Sequence, residues 1–136
     1  MLLSFGALSL PDWCIVSLVP IVAAQDEDAY FNFPDMSSLT VFADNVVPCM
    51  LRHFGTLTVS DELAATIAAG RPISATDEIA LRAAAVVVGD RIVAALRARG
   101  VATATAASVD YYLWTEAKVG ELRALPRHAN PLTYFY

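Results

Sequence analysis

Thr76-Asp77-Glu78-Ile79-Ala80-Leu81-Arg82-Ala83-Ala84-Ala85-Val86-Val87-Val88-Gly89-Asp90-Arg91-Ile92-Val93-Ala94-Ala95-Leu96-Arg97-Ala98-Arg99-Gly100 is the stretch that decides the fold. Asp77 and Glu78 at its start suit the positive end of a helix dipole. Ile79, Ala83, Val86, Val87, Ile92, Val93 and Leu96 recur at helical spacing and read as its apolar side. Alanines fill the remainder and let neighbouring helices approach closely. Thr76-Asp77-Glu78 therefore opens the longest helix, which runs to about Arg99 and stops at Gly100.

Upstream, Ser60-Asp61-Glu62 opens a shorter helix with Ser60 as N-cap, and Gly70-Arg71-Pro72 ends it. The run from Leu39 to Phe54 contains another helix, with Pro48 near its first turn, where a missing N–H does little harm. Gly55 stops it. Downstream, a last helix is expected from about Ala104 to Val119, followed by an irregular, aromatic-rich tail from Leu125. Alternating strand patterns are nearly absent, and there is no internal repeat. The fold class is all-α.

The length of 136 residues bounds the chain at one domain or part of one. A formal charge of −5 and a pI of about 4.8 exclude a non-specific grip on a nucleic-acid backbone, which needs a basic face. A small phosphorylated ligand stays open, since one local arginine can serve. No Lys or Arg precedes Arg52. Residues 1 to 24 are strongly apolar, yet they have no positive n-region, and Pro11, Asp12 and Pro20 interrupt them. They match neither a secretory signal nor a spanning helix, so the expectation is a cytoplasmic protein without membrane contact. Cys14 and Cys49 form no metal pattern and no disulfide framework, and read as reduced packing thiols.

Leu39-Thr40-Val41-Phe42-Ala43-Asp44-Asn45-Val46-Val47-Pro48 places one carboxylate in an apolar run. Such an acid is held by specific partners or loses its charge. Two readings stand for Asp44 on the residues alone. One is a capping aspartate ahead of the Pro48 helix. The other is a carboxylate acting at the anomeric carbon of a sugar, where cleavage passes through an oxocarbenium-like state. Asp110-Tyr111-Tyr112-Leu113-Trp114 is the second constellation. On a helix Asp110 and Trp114 share one side, and Tyr111, Thr115 and Lys118 another, which on the residues alone reads as ordinary amphipathic packing with an exposed acid. Glu78 and Arg82 have the i,i+4 order of a helical ion pair. Arg52 reads as a surface arginine with a phosphate-binding alternative. His53 and His128 have no metal-ligand spacing and read as capping or surface residues.

The Phe42-Ala43-Asp44 run resembles the corresponding segment of the queuosine salvage family, the queuosine 5′-phosphate N-glycosylase/hydrolases. Asp110 to Trp114, Glu78 to Ala83 and the tail from Arg127 to Tyr136 resemble further family segments in the same order. The resemblance covers residues 30 to 136 as the C-terminal part of a salvage domain, with residues 1 to 29 as an apolar and acidic segment of separate standing. It implies an architecture similar to helical DNA glycosylases and hydrolysis of the N-glycosidic bond of queuosine 5′-phosphate, releasing queuine for salvage into transfer RNA. By the same resemblance Asp44 is the nucleophile, while Phe42, Asp110 and Tyr111 hold the base. It implies a small-molecule substrate, no metal, no cofactor and no direct nucleic-acid partner. Two features depart from the family's habit. Thr115 stands where an aspartate often follows the tryptophan, and Arg127-His128 reverses a commoner His-Arg order. The alternatives are a truncated, binding-only relative and a small helical interaction protein.

Overall fold

The computed structural model describes residues 35 and 38–129. The expectations for residues 1–34 and for the ending from Asn130 onward lie outside them. The described residues form four α-helices and no strand: α1 (Val46–His53), α2 (Asp61–Ala68), α3 (Ala75–Ala98) and α4 (Ala106–Glu116). A short 3₁₀ turn, Gly120–Ala124, follows α4.

α1 is the central element. Six consecutive residues, Val46 to Leu51, are buried, because α1 packs against both α3 and α4 while these pack on each other. Pro48 lies in its first turn, as its missing N–H requires. Gly55 beyond it takes a left-handed φ of 71°, a conformation that a side chain disfavours. α2 buries only Leu63 and Ile67, one turn apart. The Ser60 hydroxyl caps it by accepting the Leu63 N–H at 3.3 Å.

α3 starts one residue before the expected point. Ser74 is its N-cap, accepting the Asp77 N–H at 3.1 Å and donating its hydroxyl to Asp77 Oδ2 at 2.6 Å. The larger difference is rotational. Ile79 is 70% exposed, and Ala83 and Val87 are exposed too. The buried side carries Leu81, Ala84, Ala85, Val88, Ile92, Val93 and Leu96. The helical period was right throughout; the expected buried side holds at Ile92, Val93 and Leu96 and fails at Ile79, Ala83 and Val87 in the first half. Small residues set the phase, because they let other chain segments come close. A Cβ placed on Gly89 would lie 2.7 Å from Val41 Cγ1, well inside ordinary carbon contact.

α4 is shorter than expected, beginning two residues later. Thr105 and Ser108 cap each other reciprocally, fixing the start. Beyond the 3₁₀ turn the chain folds back over the core. Arg127 Nη2 donates to the Ala117 carbonyl at 3.4 Å, Cys49 Sγ donates to that of Pro126 at 3.6 Å, and the Ile73 N–H donates to that of Ala129 at 3.0 Å. His128, expected at the surface or in a cap, is instead only 2% exposed. The return of residues 125–129 across three elements buries it.

Candidate functional site

Val41 anchors the segment ahead of α1 by burying its side chain against α3. The next residues then turn sharply, with the Asp44 N–H donating to the Phe42 carbonyl at 2.8 Å. Asp44 Oδ1 accepts the N–H groups of Val46 at 2.6 Å and Val47 at 3.2 Å. Asn45 holds the formal cap position, but its side chain makes no capping bond. Asp44 satisfies the orphan donors of α1 from one residue upstream. The capping reading is therefore correct for one oxygen. Among the described residues nothing donates to the other, Oδ2.

α4 supplies the opposite wall. Asp110 Oδ1 accepts the Phe42 backbone N–H at 2.9 Å, joining residues far apart in sequence. Burial raises the Asp110 carboxyl above its ordinary range. The Phe42 N–H pulls it down, and the Asp44 charge pushes it up. Phe42, Tyr111 and Trp114 keep much of their ring surface exposed.

These residues converge. Leu39, Phe42, Asp44, Asp110, Tyr111 and Trp114 line one open cavity of about 770 Å³, within the range of small-molecule sites. All four residues singled out from the sequence therefore border the same space. Leu39 and Trp114 border it as well, though neither was assigned a role. The helical offset from Asp110 to Trp114 was the available signal. Lys118 places its ammonium over the Trp114 ring, a cation–π contact at the rim.

Two other candidates fall elsewhere. The Thr115 hydroxyl donates to the Tyr111 carbonyl at 2.8 Å, so its proton is committed within α4. Arg52 lines a separate cavity of about 330 Å³ with Cys49 and His53, not the space around Asp44. Burial pushes the Cys49 thiol up, against the opposing pull of the Arg52 and Arg127 charges. His128 is held below the usual imidazole range, first by burial, with Glu78 pulling the other way. Glu78 itself is buried and pairs with Arg82 at 3.5 Å. Among the described residues no group of three or more His, Cys, Asp and Glu side chains could hold a metal ion. No described helix is long and apolar enough to cross a membrane.

Carboxylates and open aromatic faces around one cavity define a helical protein suited to a planar, hydrogen-bonding ligand. The sequence matches the family described as "Queuosine salvage protein" over residues 16–136, and the chain belongs to that family. The match starts inside the N-terminal apolar segment, upstream of Tyr30. The chain is also 35% identical over 106 residues to the queuosine 5′-phosphate N-glycosylase/hydrolase of Sphaerobacter thermophilus. That alignment covers 76% of this chain and 32% of the relative, so the chain spans about a third of the relative's length.

Proposed function

We propose that this chain hydrolyses the N-glycosidic bond of queuosine 5′-phosphate and releases queuine. One observation carries the reading: in a member of the queuosine salvage family, Asp44 and Asp110 border one cavity with Phe42 and Tyr111. The relative from Sphaerobacter thermophilus carries the name of this activity. The chemistry also favours such a site. A 7-deazaguanine base has no N7 to protonate, so one usual way of improving a purine leaving group is missing. More of the barrier must be met at the sugar, where a carboxylate can trap or stabilise the oxocarbenium-like state.

In this reading Asp44 Oδ2 forms the bond to C1′ as the electron pair of the C1′–N bond moves onto the base. Water then displaces the carboxylate, one of its protons balances the departed base, and Asp44 is regenerated. The cap that holds Oδ1 fixes the direction of Oδ2 toward the sugar, an orientational gain that lowers the barrier without a new contact. Phe42 and Tyr111 offer apolar faces to the base, and a carboxylate at Asp110 suits its N–H edge. The substrate is a free nucleotide, met in the cytoplasm, and the released base re-enters transfer RNA through a separate reaction.

The test is incubation of the purified chain and of Asp44→Asn with queuosine 5′-phosphate, following free queuine by mass spectrometry. Release by the wild type, reduced at least about 10³-fold in the variant, is the expected result. A wild-type chain that releases nothing overturns the reading, and equal release by both removes Asp44 from the chemistry.

A further inference from the structure

We propose that Asp110 is also a positioning residue: its Oδ1 holds the Phe42–Asp44 turn in place, while its Oδ2 remains for the base. The inference rests on the glycosidic reading above and adds to it a task for one named atom.

The hydrogen bonds form an unbroken chain from α4 to the start of α1. Asp110 Oδ1 accepts the Phe42 N–H at 2.9 Å. The Phe42 carbonyl accepts the Asp44 N–H at 2.8 Å. Asp44 Oδ1 accepts the Val46 and Val47 N–H groups. Among the described residues no other hydrogen bond holds the turn on that side. Phe42 is 68% exposed, so its ring provides little anchoring, and among the described residues its N–H has no other acceptor. Val41 pins the preceding residue through its side chain. The Asp110 bond then decides how the backbone departs from that point. Asp110 Oδ2 accepts nothing from the described residues, and Asp110 is one of the residues that border the cavity.

Each oxygen thus has a separate duty, and different substitutions separate them. Asp110→Asn keeps an acceptor for the Phe42 N–H but replaces the second oxygen with an amide, which repels the N–H edge of a guanine-like base. Asp110→Ala removes both. Backbone amide exchange at Phe42 reports the tie without any turnover. Steady-state kinetics on queuosine 5′-phosphate report the consequence.

Alanine is expected to speed Phe42 exchange about tenfold, the effect of losing one hydrogen bond to a charged acceptor, and to lower kcat by about 10- to 100-fold through misplacement of Asp44. Asparagine is expected to keep Phe42 exchange within about threefold of wild type and to act mainly by raising KM. Unchanged Phe42 exchange in Asp110→Ala overturns the proposal, as does an equal loss of kcat in the two variants. If the alanine variant fails to fold, the isosteric asparagine variant decides: exchange as fast as in a solvent-exposed amide overturns the positioning role. A wild-type chain without turnover overturns the glycosidic reading and the catalytic half of this proposal. The exchange data distinguish that failure from a failure of the tie itself.

Discussion

Gly89→Ala tests how α3 and the catalytic segment are coupled. In an unobstructed helix interior, alanine is favoured over glycine by about 1 kcal/mol. Here the new Cβ would lie 2.7 Å from Val41 Cγ1 and 3.1 Å from Cγ2, against a comfortable carbon separation of about 3.5–4.0 Å. Val41 is 3% exposed and borders the cavity beside Phe42, so a Val41 pushed away from α3 carries the turn with it. Overpacking of this kind costs about 1–3 kcal/mol. The clash therefore outweighs the propensity gain, for a net loss of about 1 kcal/mol and a fall in Tm of roughly 3–5 °C. Activity is expected to suffer more. Relieving the overlap displaces Val41 by several tenths of an ångström, and Phe42 and Asp44 follow it in the chain. A misplacement of that order reduces turnover about tenfold. Thermal melts and queuine release are the assays. Adding Val41→Ala relieves the overlap, since the two Cβ atoms would meet at 3.5 Å, and the pair should be about 1–2 kcal/mol more stable than the sum of the single variants. A Gly89→Ala protein with a higher Tm and unchanged turnover would refute the reasoning.

Asp44→Asn should retain stability within about 0.5 kcal/mol because asparagine caps as well as aspartate, whereas Asp44→Ala should lose about 1 kcal/mol; urea titration checks the difference. Thr105→Ala breaks the reciprocal cap of α4 and should cost about 1–2 kcal/mol by the same measurement. Glu78→Ala leaves Arg82, itself partly exposed, without its partner and should cost about 1–3 kcal/mol. His128 has a depressed native pKa, with burial as the main cause. Its stabilising contribution is present above the unfolded value of about 6.5 and is lost as pH falls from there through the native pKa. His128→Asn should flatten the decline in Tm over that window.

The elements were legible because their signals are local. Ser60, the acids at the start of α3, Pro48 and the stops at Gly55 and Gly100 act within a turn of the residues they govern. The rotation of the first half of α3 was not legible, although Ile92, Val93 and Leu96 were placed correctly. Ile79 and Leu81 are both aliphatic, and which one faces inward depends on where Val41 and α1 approach. His128 was misread for a related reason: its burial depends on the return of residues 125–129, set by contacts with Cys49, Ile73 and Ala117. Asp44 was visible as an unusual carboxylate, whereas Asp110 looked like an ordinary helix acid and took its role from family resemblance. The backbone tie through Phe42 left no trace in the sequence, since any residue offers the N–H that Asp110 accepts.

The return of residues 125–129 also sets an order of events during synthesis. Ribosomes build chains from the N-terminus at about 5–20 residues per second, so the four described helices are synthesised before His128. Until residues 128 and 129 are added, the place that His128 fills is open to water and the Ile73 amide lacks the Ala129 carbonyl. A chain cut short just before residue 125 would therefore keep the four described helices and lack the segment that covers their interior, and limited proteolysis should cleave it faster than the full chain.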